Sequence, residues 1–177
     1  MKQLTSLAFG VFILVSIQSC QSNKHASNYN DEALVGDSDI TFLKNGTEGS
    51  LTTIKASGLA LSNSKNMKVI QFAKSMIDVH TQLADDLEKL QADNFVTTDD
   101  TINTIHQQAI AALEKKRAAS FDKAYLAMLI TDHTQAISLF NAASKDKNAD
   151  ISSFVKKTLP ALKMHLDSAR AISLTLK

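Results

Sequence analysis

The sequence predicts an all-α protein, an antiparallel four-helix bundle with one additional short helix, following a lipoprotein signal peptide. Three observations carry that expectation. Beyond the first twenty residues the chain has four glycines and one proline, among long runs of Ala, Leu, Lys and Gln, which are strong helix formers. Apolar residues recur at alternating spacings of four and three, which lays them along one face of a helix. Short polar segments separate these stretches, so consecutive helices are joined by turns and pack antiparallel.

The elements follow in chain order. Lys2 supplies a positive start, and Leu7 to Ile17 forms an apolar run too short to span a bilayer as a mature helix, so residues 1–19 read as an export signal. The run ends in Ile17-Gln18-Ser19-Cys20, which resembles the lipobox of bacterial lipoproteins. That resemblance implies cleavage before Cys20 and lipidation there. Cys20 is the only cysteine, so no intramolecular disulfide exists, and acylation removes a thiol that would be a liability in an oxidising compartment. Several acyl chains anchor a protein stably where one binds marginally. Gln21 and Ser22 follow without an aspartate, so the expectation is an outer-membrane lipoprotein of the bacterial envelope, facing the periplasm. Residues 20–38 read as acylated cysteine and flexible tether, and residues 39–177 as the helical domain.

The first helix is expected from Asp39 to Ser62, capped by Ser38 or Asp37, and has the weakest pattern because Gly46, Gly49 and Gly58 lower helical preference. The second, Ser64 to Leu90, aligns Val69, Ala73, Met76, His80, Leu83, Leu87 and Leu90 on one seam. A shorter helix to Lys116, capped by Asp99 or Asp100, carries Ile102, Ile105, Ala109 and Leu113. The next runs from a Ser120 cap to Lys145 with Leu126, Leu129, His133, Ala136, Phe140 and Ala143 on its line. The last, Ile151 to Leu176, carries Val155, Leu162, His165, Ala169 and Ile172, and Pro160 predicts a kink or break near Lys157.

His80, His133 and His165 each fall mid-helix on an apolar line, so the bundle brings three imidazoles into one layer of its core. Imidazole suits zinc, iron and copper, which makes these residues candidate ligands of a transition metal, although the sequence assures no cofactor. Asp132 is a candidate second-sphere acceptor for one ring. The residues three before the histidines are Ile77, Ile130 and Leu162, so the Glu-x-x-His pairs of di-iron bundles are missing. The competing reading makes them core residues, with His80 bonded to Thr158 and His133 to Asp132 or Tyr125. His106 is expected to be partly exposed and is assigned no role. Met67, Met76, Met128 and Met164 read as core packing.

Phe121-Asp122-Lys123-Ala124-Tyr125, Asp132-His133, and Leu159-Pro160 with His165 five residues on, together with Phe72-Ala73, Met76 and His80-Thr81, resemble a bacterial family of outer-membrane proteins catalogued as domain of unknown function 4142. The resemblance spans Asp39 to Leu176 and implies a ferritin-like antiparallel four-helix bundle and an exported location. The family usually has aspartate directly before the first histidine, where this chain has Val79 with Asp78 one position earlier, and often a glutamate where it has Thr53. Both departures remove carboxylates from the histidine layer and argue against a carboxylate-bridged metal pair.

Formal net charge is +1, tryptophan is absent, and basic residues do not cluster with aromatic platforms, which excludes nucleic acid as a partner. No phosphate-cradling glycine loop or paired-cysteine motif is present. The membrane, through lipidated Cys20, is the one partner the sequence names. Two functions stay open. The favoured one is a lipid-anchored, non-catalytic module of envelope interaction or stress tolerance. The alternative is a metal-binding or redox protein using the histidine layer, and convergence of the three rings within about 4–5 Å of one point separates it from the first.

Overall fold

The computed structural model describes residues 35–99 and 101–176; the signal peptide and Cys20 lie outside them. Five helices make up the regular structure of the described residues: α1 (Asp37–Asn63), α2 (Met67–Asp93), α3 (Thr104–Glu114), α4 (Ala118–Ala143) and α5 (Ala149–Leu174). Three start on an asparagine whose side chain accepts from the exposed first-turn N–H groups: Asn66 from Lys68, Asn103 from His106, and Asn148 from Asp150 and Ile151. Asn103 thereby replaces the cap expected for α3 at Asp99 or Asp100. At α1 the cap is Gly36, whose N–H donates to the Asp39 carboxylate at 3.1 Å. Ser120 does not cap α4. Its hydroxyl donates to the Arg117 carbonyl at 2.9 Å, and the chain instead turns into the helix at Ala118, with φ 48°.

Pro160 does not break α5, which runs unbroken to Leu174. The reason is orientation. Pro160 and Lys156 are exposed, so the carbonyl that loses its donor faces water, while buried Val155, Leu159 and Leu162 hold the helix down from the other side.

α1 packs on α2 and α4, and α5 packs on α4 and α2, giving the ring order α1, α2, α5, α4. Side-chain bonds fix the directions. Gln91 near the end of α2 donates to Thr47 near the start of α1 at 2.9 Å, Ser57 late in α1 meets Tyr125 early in α4 at 2.8 Å, and Asn148 at the head of α5 donates to Asn94 at the tail of α2. Neighbours are therefore antiparallel, and α2 and α4 lie diagonally with the same direction. The chain between them must travel the length of the bundle, and α3, packed on α1 and α4, is that crossover. One long crossover is the connectivity of ferritin-like bundles.

The core falls into two apolar clusters. One is built around Val69, Met76, Phe121, Tyr125, Leu126 and Leu129, the other around Phe42, Leu43, Leu87, Phe140, Ile151 and Leu162. In α2, α4 and α5 the histidines stand between the two. α1 looks weak in sequence because its buried seam is small and polar: Gly46, Ser50, Thr53, Ser57 and Ala60, spaced four, three, four, three. Gly46 is needed for contact, since a Cβ there would lie 3.3 Å from Leu87 Cδ1. Elsewhere the inward lines need correcting. Ile105 is 77% exposed, and Met67 and Met164 lie at 63% and 60%, so among the described methionines only Met76 is fully in the core. No helix of the described residues is long and apolar enough to cross a membrane.

Candidate metal centre

His80 of α2, His133 of α4 and His165 of α5 are buried, at 4%, 2% and 4% exposure, and face one another. Their ring centroids form a near-equilateral triangle with sides of 5.2, 5.6 and 5.6 Å. One nitrogen from each lies within 4.8 Å of the other two, and the Nε2 atoms of His80 and His133 are 3.2 Å apart. The common layer expected from mid-helix placement is present. The fourth side belongs to α1, which brings the buried hydroxyls of Ser50 and, one turn on, Thr53 in place of a carboxylate.

Hydrogen bonding decides which lone pairs are available. His133 Nδ1–H donates to the Leu129 carbonyl at 2.9 Å, one turn back on its own helix, so its Nε2 carries a lone pair, which accepts the Nε2–H of His80 at 3.2 Å. His80 Nδ1 and His165 Nδ1 are buried with no hydrogen-bond partner. The bonds expected of core histidines do not form. Thr158 donates to the Phe154 carbonyl on α5, and Tyr125 pairs with Ser57. Asp132, expected behind His133, points to His106. Neighbouring residues on a helix project about 100° apart, which carries Asp132 off the inward face.

Burial pushes all three imidazoles toward the neutral form. His80 is held well below the ordinary histidine value, by burial first and then by the charges His133 and His165 would carry. His133 is lowered to about 4 by burial and His165, with the Leu129 carbonyl opposing. His165 is lowered by burial. Three neutral imidazoles at neutral pH are the state that ligates metals.

The layer is reached from two sides. A cavity of about 300 Å³ between α1 and α4, roofed by Asn103 and His106, ends on His80. A second, of about 360 Å³ between α2 and α5, ends on His165 and has Asp78 and Lys157 at its edge. Asp78 thus lies on the His165 side, although one position off the family's pattern.

The first cavity also holds a group that sequence reasoning left unassigned. His106 Nδ1 donates to Glu48 Oε1 at 2.7 Å, and its Nε2 lies 3.6 Å from Asp132 Oδ1. Glu48 Oε1 accepts further bonds from the Asn103 N–H at 3.0 Å and the Thr52 hydroxyl at 3.1 Å. His106 is half-buried, with its side chain 18% exposed, as the partial exposure expected of it requires. No local signal announces the cluster, because Glu48 and His106 come together only when the crossover docks on α1.

A family model matches residues 24–172. The chain belongs to the DUF4142 family. The family is described as a domain of unknown function, so membership leaves the chemistry to the residues. Within this DUF4142 chain, Phe121 and Tyr125 of the family motif stack at 5.6 Å between centroids in the core, a structural role, while the motif histidines form the layer. No curated protein and no solved structure matches the chain.

Proposed function

We propose that this protein binds a transition-metal ion on His80, His133 and His165, within the bacterial envelope to which a lipidated Cys20 would tether it at the outer membrane. The observation that carries the reading is the convergence of three buried imidazoles, one nitrogen of each lying within 4.8 Å of the other two. Two nitrogens held about 2.1 Å from one tetrahedral zinc lie about 3.4 Å apart, close to the 3.2 Å between His80 and His133. The third nitrogen, on His165, lies within 4.8 Å of both and would close on them to complete the set. Neutral nitrogen ligands favour zinc, copper or iron over hard cations such as magnesium, and three protein ligands leave a further position for water. The missing carboxylates make this a mononuclear site and not a bridged pair.

The role follows from binding. A non-catalytic protein of this kind holds a metal in the periplasm, which keeps the envelope assignment and replaces surface interaction as the main activity. The test is elemental analysis of the chain purified without a histidine tag or chelator, beside His80→Ala, His133→Ala and His165→Ala. Metal retained by the parent and lost from each variant supports the reading. Equal metal content in all four, with the variants merely less stable, makes the layer a core feature and removes the proposal.

A further inference from the structure

We infer that His106 Nε2 and the Asp132 carboxylate form a second, separate divalent-cation site at the wall of the α1–α4 cavity, with Glu48 fixing the imidazole from behind. A carboxylate accepts only, so the 2.7 Å contact between Glu48 Oε1 and His106 Nδ1 places the proton on Nδ1. The Asn103 side-chain nitrogen, 3.1 Å from the same Nδ1, is then a neighbour and not a donor to it. Its oxygen is already committed, accepting the His106 backbone N–H at 2.9 Å. In the neutral ring Nε2 therefore presents a lone pair, and it faces an acceptor.

The separation from Asp132 Oδ1 is 3.6 Å, beyond a hydrogen bond. A zinc-like ion about 2.1 Å from both atoms would subtend an angle of about 120° across that gap. The other oxygen, Asp132 Oδ2, is buried with no hydrogen-bond partner, so the carboxylate has accepting capacity to spare. Carboxylate, histidine and ion in line is the arrangement by which proteins orient a metal-binding imidazole. Glu48 is well suited to the outer place, since Thr52 and Asn103 anchor the same oxygen. Two carboxylates also outweigh the partial positive charge of about half a unit at the start of α3, where His106 lies. The cavity supplies room for waters, and Asn45 and Gln135 on its wall offer neutral oxygens.

One imidazole and one carboxylate, with waters, suit zinc, manganese or ferrous iron. The site stands on its own contacts and does not depend on the three-histidine layer.

The test uses the full chain in detergent, stripped of metal and titrated with Zn²⁺, with bound ions counted by elemental analysis after gel filtration. The expected result is two ions for the parent, one for Asp132→Asn, one for His165→Ala, and none for the double variant. His106→Gln should repeat the loss seen with Asp132→Asn, and Glu48→Gln should weaken that ion about 10- to 100-fold. Circular dichroism checks that each variant keeps its helices. An ion in His165→Ala that survives both Asp132→Asn and His106→Gln overturns the proposal. A single parental ion that needs His165 and ignores Asp132 overturns it too, while leaving the histidine layer intact. A single ion with the reverse dependence upholds this site and removes the other.

Discussion

Replacing His165 with leucine should make the metal-free protein more stable. His165 is 4% exposed, and its Nδ1 is buried without a partner. Leaving such a nitrogen unsatisfied costs about 1–3 kcal/mol, and leucine has a similar volume with no polar atom. The layer lies between two apolar clusters, so the new side chain meets hydrocarbon on either side. For a domain of this size the gain corresponds to a rise in Tm of roughly 3–9 °C. Metal reverses the order. An ion at one hundred times its Kd adds about 2.7 kcal/mol to the parent and nothing to the variant at this site. Thermal denaturation followed by circular dichroism, with chelator and then with excess Zn²⁺, reads both effects. Because the inferred His106–Asp132 site would also respond to zinc, the comparison is made in an Asp132→Asn background. A His165→Leu chain that is less stable in chelator by 2 kcal/mol or so, beside a parent whose Tm ignores zinc, would refute the reasoning. It would mean that the imidazole is a satisfied core residue.

Two further outcomes are expected. Stability should fall as pH drops from about 6.5 to about 4. His133 is lowered to about 4 in the fold, so the unfolded chain binds protons first, and the contribution is whole above the ordinary value of 6.5 and lost by about 4. That residue alone accounts for roughly 3 kcal/mol, with His80 and His165 shifted the same way, and a flat urea-denaturation profile across this range would contradict it. Gly46→Ala should stabilise less than Gly58→Ala. An added Cβ at Gly58 meets nothing within 4 Å, so the helix gains about 0.5–1 kcal/mol, whereas at Gly46 it lies 3.3 Å from fully buried Leu87 and crowding offsets or exceeds the same gain. Urea denaturation of the two variants measures the difference, and equal stabilisation would show that Leu87 yields freely.

The helices that carry the histidines were legible because their seams are apolar. Leu83 and Leu87 after His80, Leu129 before His133 and Leu162 before His165 mark the inward face, and an imidazole on that face has one place to go. α1 hid its seam, since Gly46, Ser50, Thr53 and Ser57 carry little hydrophobic signal and pack by being small. Pro160 misled because the cost of a missing N–H depends on whether its orphaned carbonyl meets water, which depends on the rotation of the helix in the bundle. The bonding of the histidines was less legible than their position. Thr158, Tyr125 and Asp132 all stand in sequence where they might serve the rings, but Thr158 is taken by a backbone carbonyl, Tyr125 by Ser57 on another helix, and Asp132 faces His106 instead. The pairing of Glu48 with His106 was invisible, because 58 residues separate them and only the docked crossover joins them.

The order of the helices around the bundle has a consequence for how the layer comes into being. α1 with α2, and α4 with α5, are hairpins closed by short turns, so each assembles from contacts close in sequence, ahead of the slower joining of the two. His133 and His165 arrive together on one hairpin, and His80 arrives on the other. An ion bound by all three would work as a clasp across the line where the halves meet, pulling hardest on the one junction that the turns do not tie. Letting the ion go would then require only that the halves slide apart, with every helix still wound.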